Sequence, residues 1–154
     1  MMRQVILYNV RSRHNVGAIF RTCEGAGVSK LWLVGYTPAP VDRFGRVVEE
    51  IKKTSLGASD MVPWQQADNI FLLLEKIKES GTSVVAIEQS PGAVSLFEYS
   101  ESENVAYIFG NEITGVTLDI QNDCDVIVDI PMAGRKESLN VSTTVGIVLF
   151  QKTS

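Results

Sequence analysis

Apolar residues in this chain fall in short runs, and between the runs lie stretches with helical spacing. Residues 4–10 carry the mixed apolar V-I-L-Y pattern of a first strand. Residues 31–34 (L-W-L-V), 83–87 (S-V-V-A-I) and 104–109 (N-V-A-Y-I-F) read as buried strands, and residues 61–64 as a short one. Residues 126–130 form a further strand, β-branched on both faces, which Pro131 ends because proline donates nothing to a sheet ladder. Helical spacing predicts a helix that Asn15 caps and that runs out near Gly25 and Gly27. A second helix over residues 44–53 aligns Val47, Val48 and Ile51, and a third over 66–79 aligns Ile70, Leu73, Leu74 and Ile77. A short helix follows near residues 116–121. Ser138 is a good cap for a strongly apolar last helix over residues 139–151. Residues 93–99 fit neither period. Strands that alternate with helices predict an α/β fold, a mostly parallel sheet flanked by helices.

Composition narrows the class. The chain has 154 residues, which suits one domain. Hydrophobic residues make up 45% and charged residues 21%, ordinary for a soluble globular protein. No apolar run approaches the roughly 20 residues that span a bilayer, and the first residues lack a signal-peptide pattern. Cys23 and Cys124 are the two cysteines, and neither has metal-ligand spacing around it. The expectation is a reduced, cytoplasmic protein with no membrane and no metal partner.

Net charge is −4, but its distribution is uneven. Residues 1–53 hold nine Lys/Arg against four Asp/Glu; residues 54–154 hold five against fourteen. The basic excess includes Arg3, Arg11, Arg13, Arg21, Arg43 and Arg46, a local positive patch on an acidic chain that suits RNA phosphates.

Familiar nucleotide motifs fail one by one. Residues 110–117 resemble a phosphate-binding loop after a strand, but Val116 stands where its lysine belongs. Gly25-Ala26-Gly27 follows a helix instead of a strand, and Lys30 takes the third glycine position of a dinucleotide fingerprint. There is no G-x-S-x-G, and His14 is the single histidine, more in keeping with a surface loop than with a general base. Three stretches are left that no fold requires: Asn15-Val16-Gly17-x-x-x-Arg21, Gly110-Asn111-Glu112-x-x-Gly115, and Ile130-Pro131-Met132-x-Gly134-x-x-x-Ser138-Leu139-Asn140-Val141-Ser142. Each alone is what a capped helix or a strand-ending turn supplies. In the third, Asn140 and Ser142 are poor helix formers in an otherwise apolar turn.

In this order the three stretches resemble the motifs of the SpoU (TrmH-like) RNA 2′-O-ribose methyltransferases of the SPOUT superfamily, and the resemblance runs nearly end to end. It implies a C-terminal deep trefoil knot, which periodicity alone never shows. It implies S-adenosylmethionine as methyl donor, S-adenosylhomocysteine as product, and a homodimer with active sites at the subunit interface. By motif position, Arg21 corresponds to the catalytic arginine, Asn15 to its companion, and Glu112, Ser138 and Asn140 to the other polar site positions. Gly110, Ile130, Met132, Ser138 and Leu139 correspond to the donor pocket. Arg11, Arg13, Arg43, Arg46, Arg135 and Lys136 are the candidate RNA contacts. Two departures are mild: Ile113-Thr114 and Thr143-Thr144 replace residues common in the family. The expected substrate is tRNA slightly ahead of rRNA, and the expected form is a minimal catalytic domain with no appended RNA-binding domain. The alternative is a non-catalytic RNA-binding or dimerisation module that keeps the fold.

Overall fold

A computed structural model of the chain describes residues 1–136 and 138–151. Its strands are β1 (Met2–Tyr8), β2 (Lys30–Val34), β3 (Trp64–Ala67), β4 (Ser83–Ile87), β5 (Val94–Ser95), β6 (Asn104–Gly110) and β7 (Val126–Asp129). Its helices are α1 (Arg13–Gly25), α2 (Glu49–Ser55), α3 (Ile70–Glu79), α4 (Leu118–Asn122) and α5 (Val141–Gln151). The strands form one sheet in the order β3-β2-β1-β6-β4-β7-β5, and every pair among the described residues is parallel. The first three strands build outward from β1 on one side, and the later strands build on the other.

Burial on both faces explains the near-continuous apolar runs. Val5 and Leu7 of β1, and Val105, Tyr107 and Phe109 of β6, face a core closed by α1, α2 and α5. Ile6, Ala106 and Ile108 face the opposite core, closed by α3 and α4. Tyr107, Phe20 and Phe109 are the largest fully buried side chains. Among the described residues no helix is long and apolar enough to cross a membrane.

Several sequence expectations shift. Ser12, not Asn15, caps α1, its hydroxyl accepting the Asn15 N–H at 3.1 Å. The helix expected over residues 44–53 is confined to Glu49–Ser55, because residues 41–47 close a hairpin through a Val41–Val47 bridge. The strand expected over 61–64 falls at Trp64–Ala67, and Asn69 caps α3 by accepting from Phe71 and Leu72 N–H. In the undecided stretch 93–99 lies the two-residue edge strand β5. β7 is only half-buried, with Val128 alone fully covered. Finally, α5 begins at Val141, with the Asn140 side chain accepting the Ser142 N–H at 2.9 Å, so Asn140 and not Ser138 does the capping.

Candidate active site

Parallel strands all end on one edge of a sheet, and open α/β folds bind ligands there. Past the carboxyl ends of β4, β6 and β7 lies a cavity of about 370 Å³, within the range of small-molecule and cofactor sites. Its far wall is the loop that follows β6. Gly110 and Gly115 touch backbone to backbone there, since a β-carbon on Gly110 would lie 2.2 Å from the Gly115 carbonyl carbon. Gly115 itself has φ +60. Asn111 shapes the turn by accepting the Ile113 and Thr114 N–H groups at 2.9 and 2.7 Å.

Glu88, just past the end of β4, pins this loop. Its Oε2 accepts the Val116 N–H at 2.9 Å, and its Oε1 accepts the Gln89 N–H at 3.1 Å. No motif in the sequence marks Glu88. The available signal was its place at the end of a buried parallel strand.

Gly110, Ile130, Met132, Ser138 and Leu139 all line the cavity, and so does Glu112. Asn140 and Asn15 reach its rim through a chain of side chains. Asn140 Nδ2 donates to Asn15 Oδ1, and Asn15 Nδ2 donates to Glu112 Oε1, both at 3.4 Å. The first turns of α1 and α5 therefore meet beside one carboxylate. Three carboxylates, Glu88, Glu112 and Asp129, line the cavity, and no lysine or arginine among the described residues does.

Arg21 lies elsewhere in the chain. It stands six residues beyond Asn15 on α1, about 9 Å along the axis and about 120° around it. There it lines an open hollow with His14, Thr22, Lys53 and Phe150. Leu56 and Phe150 at that hollow are 67% and 52% exposed.

The candidate RNA contacts Arg11, Arg13, Arg43, Arg46, Arg135 and Lys136 are all exposed. Arg46 is paired with Asp42 at 3.1 Å. The backbone N–H of Arg46, first among several donors, holds the Asp42 carboxyl below its usual range. Arg3 leaves the basic patch altogether. It is 6% exposed, pairs with Glu101 at 3.3 Å and donates to the Leu149 carbonyl at 2.6 Å. Both cysteines are free thiols. Cys23 is fully buried, and Cys124 is half-buried, donating to the Ile120 carbonyl at 3.2 Å. No cluster among the described residues has the makings of a metal site.

A parallel α/β sheet with an acidic cavity built from two glycine-bearing loops and two helix starts defines a small-ligand site at the sheet edge. Comparison with known proteins supplies the family. The profile of the SpoU rRNA Methylase family matches residues 2–150, and the chain belongs to that family. It is 32% identical over 145 residues to the 23S rRNA (guanosine-2′-O-)-methyltransferase RlmB of Neisseria meningitidis, covering 94% of this chain and 55% of that protein. Among solved structures it resembles an AdoMet-bound rRNA methyltransferase from Sinorhizobium meliloti (TM-score 0.86, 29% identity, 98% of this chain and 55% of the other). It resembles equally the TrmH/SpoU tRNA modifying enzyme of A. aeolicus (TM-score 0.85, 29% identity, 98% and 73%). The chain spans about half the length of the curated relatives it matches.

Proposed function

We propose that this chain is an RNA 2′-O-ribose methyltransferase that uses S-adenosylmethionine and works as a homodimer in the cytoplasm, its C-terminal segment threaded as the family's trefoil knot. The observation that carries this reading is the acidic cavity assembled by the second and third motifs. The residues present fit the donor. Ile130, Met132 and Leu139 offer apolar walls to a purine, and Glu88, Glu112 and Asp129 suit a ligand that is cationic at sulfur and amine. When bound, S-adenosylmethionine supplies an electrophilic methyl group and leaves as S-adenosylhomocysteine.

The rest is work for the chain's own groups. The apolar walls exclude water and hold hydroxyl and methyl in register, and such positioning is worth roughly 7–11 kcal/mol of a barrier. The Asn140–Asn15–Glu112 chain fixes polar groups at the cavity rim. Guanidinium groups stay protonated in proteins, so Arg21 suits a fork that holds an RNA phosphate and the reacting hydroxyl. Because Arg21 faces away from Asn15 on its own helix, the reading needs a second copy to bring an arginine to each cavity. The exposed Leu56 and Phe150 around Arg21 support that interface. The relatives divide between rRNA and tRNA, and the expected lead of tRNA gains no support from them. Ribosomal RNA is the first substrate to assay.

The test is titration calorimetry with S-adenosylmethionine, the dimer mass alongside, then transfer of labelled methyl to rRNA and tRNA transcripts. A ribose methyl is read as resistance of the labelled position to alkaline cleavage. Binding followed by such a position is expected. A folded dimer that neither binds the donor nor methylates RNA would leave only a non-catalytic RNA-binding or dimerisation module.

A further inference from the structure

Residues 41–47 form a hairpin whose tip is braced by its own hydrogen bonds, outside both cores. Val41 and Val47 bridge its neck. Asp42 organises the tip: its N–H donates to the Arg46 carbonyl at 2.8 Å, and its Oδ1 accepts the Phe44 and Arg46 N–H groups at 2.9 Å each. Gly45 completes the turn at φ +77, a conformation that L side chains rarely adopt. The hairpin displays Phe44, 65% exposed, with the guanidinium carbons of Arg43 and Arg46 at 4.8 and 4.9 Å from its ring centre.

A second ring stands at the end of β2. Tyr36 is 72% exposed, its N–H is fixed by Asn9 Oδ1 at 2.8 Å, and Arg11 lies 5.3 Å from its ring centre. Arg11 in turn is four residues from Asn15, which bonds Glu112 at the cavity. Cavity, start of α1 and Tyr36 thus follow the carboxyl edge of the neighbouring strands β6, β1 and β2, strands that lie about 4.8 Å apart, and the hairpin begins five residues after Tyr36.

Single exposed aromatics are ordinary. Two rings close in the chain, each with at least one guanidinium group against it and each on braced backbone, are a different arrangement. Unpaired RNA bases stack on aromatic faces while arginines meet the phosphates, whereas paired bases in a helix offer no free face. We infer that Tyr36 and Phe44 are a stacking platform for unpaired nucleotides flanking the modified one, so that the substrate is a loop or single-stranded stretch of RNA. This rests on the methyltransferase reading, which makes RNA the partner. The pairing of each ring with a guanidinium matches RNA, which offers a phosphate beside every stackable base.

The experiment is fluorescence anisotropy of a short labelled oligoribonucleotide, single-stranded or annealed to its complement, with the full chain. Charge density alone favours the duplex, so tighter binding of the single strand is the expected mark of stacking. Phe44→Ala and Tyr36→Ala each weaken single-strand binding roughly five- to hundredfold. Phe44→Trp keeps wild-type affinity and Phe44→Leu does not, with donor binding and dimer mass unchanged in all four variants. Equal affinity for both RNA forms, or leucine serving as well as tryptophan, overturns the platform. So does loss of dimer mass in Phe44→Ala, which would assign the hairpin to a contact between copies. If these variants behave as wild type while the chain still methylates RNA, the platform fails and the methyltransferase reading stands. If wild type binds neither donor nor RNA, both fail.

Discussion

Glu88 is the side chain on which the loop after β6 depends. A carboxylate at this position accepts the Val116 N–H and leaves no room for a side chain at Gly115, whose β-carbon would lie 2.1 Å from its Oε2. Glu88→Gln replaces a charged acceptor with a neutral one. Charge-assisted hydrogen bonds are worth about 1.5–3 kcal/mol, so donor affinity measured by calorimetry should fall about tenfold or more. Arg21→Ala should act differently: at least a hundredfold loss in kcat, the scale of removing a charge-stabilising donor, with donor affinity unchanged. Near-normal turnover in that variant would refute the assigned role. The thiols set a pH limit of a third kind. Burial pushes Cys124 from 9.0 up to about 12 and raises Cys23 further, although Arg3 opposes the latter. Burial, then the hydrogen bond to Glu101, raises Tyr107 as well. A raised folded pKa means that the unfolded chain sheds protons first, so the stabilisation is complete below about pH 9 and is lost as pH rises. The urea midpoint should fall as pH rises from about 9 toward about 12, and a flat profile would contradict the burial of these groups.

At the scale of elements, α1 carries Asn15 to the cavity and Arg21 away from it, and Gly17 sets how closely α1 packs on α2. A β-carbon there would lie 1.7 Å from Thr54 Oγ1 and 3.0 Å from the Ile51 carbonyl. Gly17→Ala must part the two helices, at a cost of about 1–3 kcal/mol in denaturant unfolding. An unchanged midpoint would mean that Thr54 alone absorbs the methyl. Elements were legible in the sequence where burial alone decides them. The runs in β1, β2, β4 and β6 face two cores, and nothing else fits them. Helix starts were less legible, because Ser12 and Asn140 won the capping positions by where their oxygens meet free N–H groups. Residues 44–53 have helical spacing, but an aspartate and a glycine turned the first half into a hairpin. Six cavity-lining residues, Glu112 among them, were legible through the family motifs. Glu88 was not, because a lone carboxylate after a strand reads as a turn. Arg3 was not either, since its partner Glu101 lies 98 residues away.

At the scale of the whole molecule, a cavity without its arginine predicts complementation between copies. Arg21→Ala and Asn140→Ala should each be inactive alone, yet subunits mixed at random from the two should recover about a quarter of wild-type activity, since half of the two-fold dimers then hold one intact site of two. No recovery on verified subunit exchange would place both residues in the same subunit's site. The order of the strands has another consequence. β1 pairs along its length with β6, a strand made much later, Met2 opposite Asn104 and Tyr8 opposite Gly110. Arg3 is then latched by Glu101 and by a carbonyl of the last helix. A nascent chain leaving the ribosome therefore holds its middle strand open on one side until the 102 residues that separate Met2 from Asn104 have been translated. Folding of such distant pairings is slow, and throughout that interval the exposed edge of β1 is a site that a chaperone can cover and an aggregate can claim.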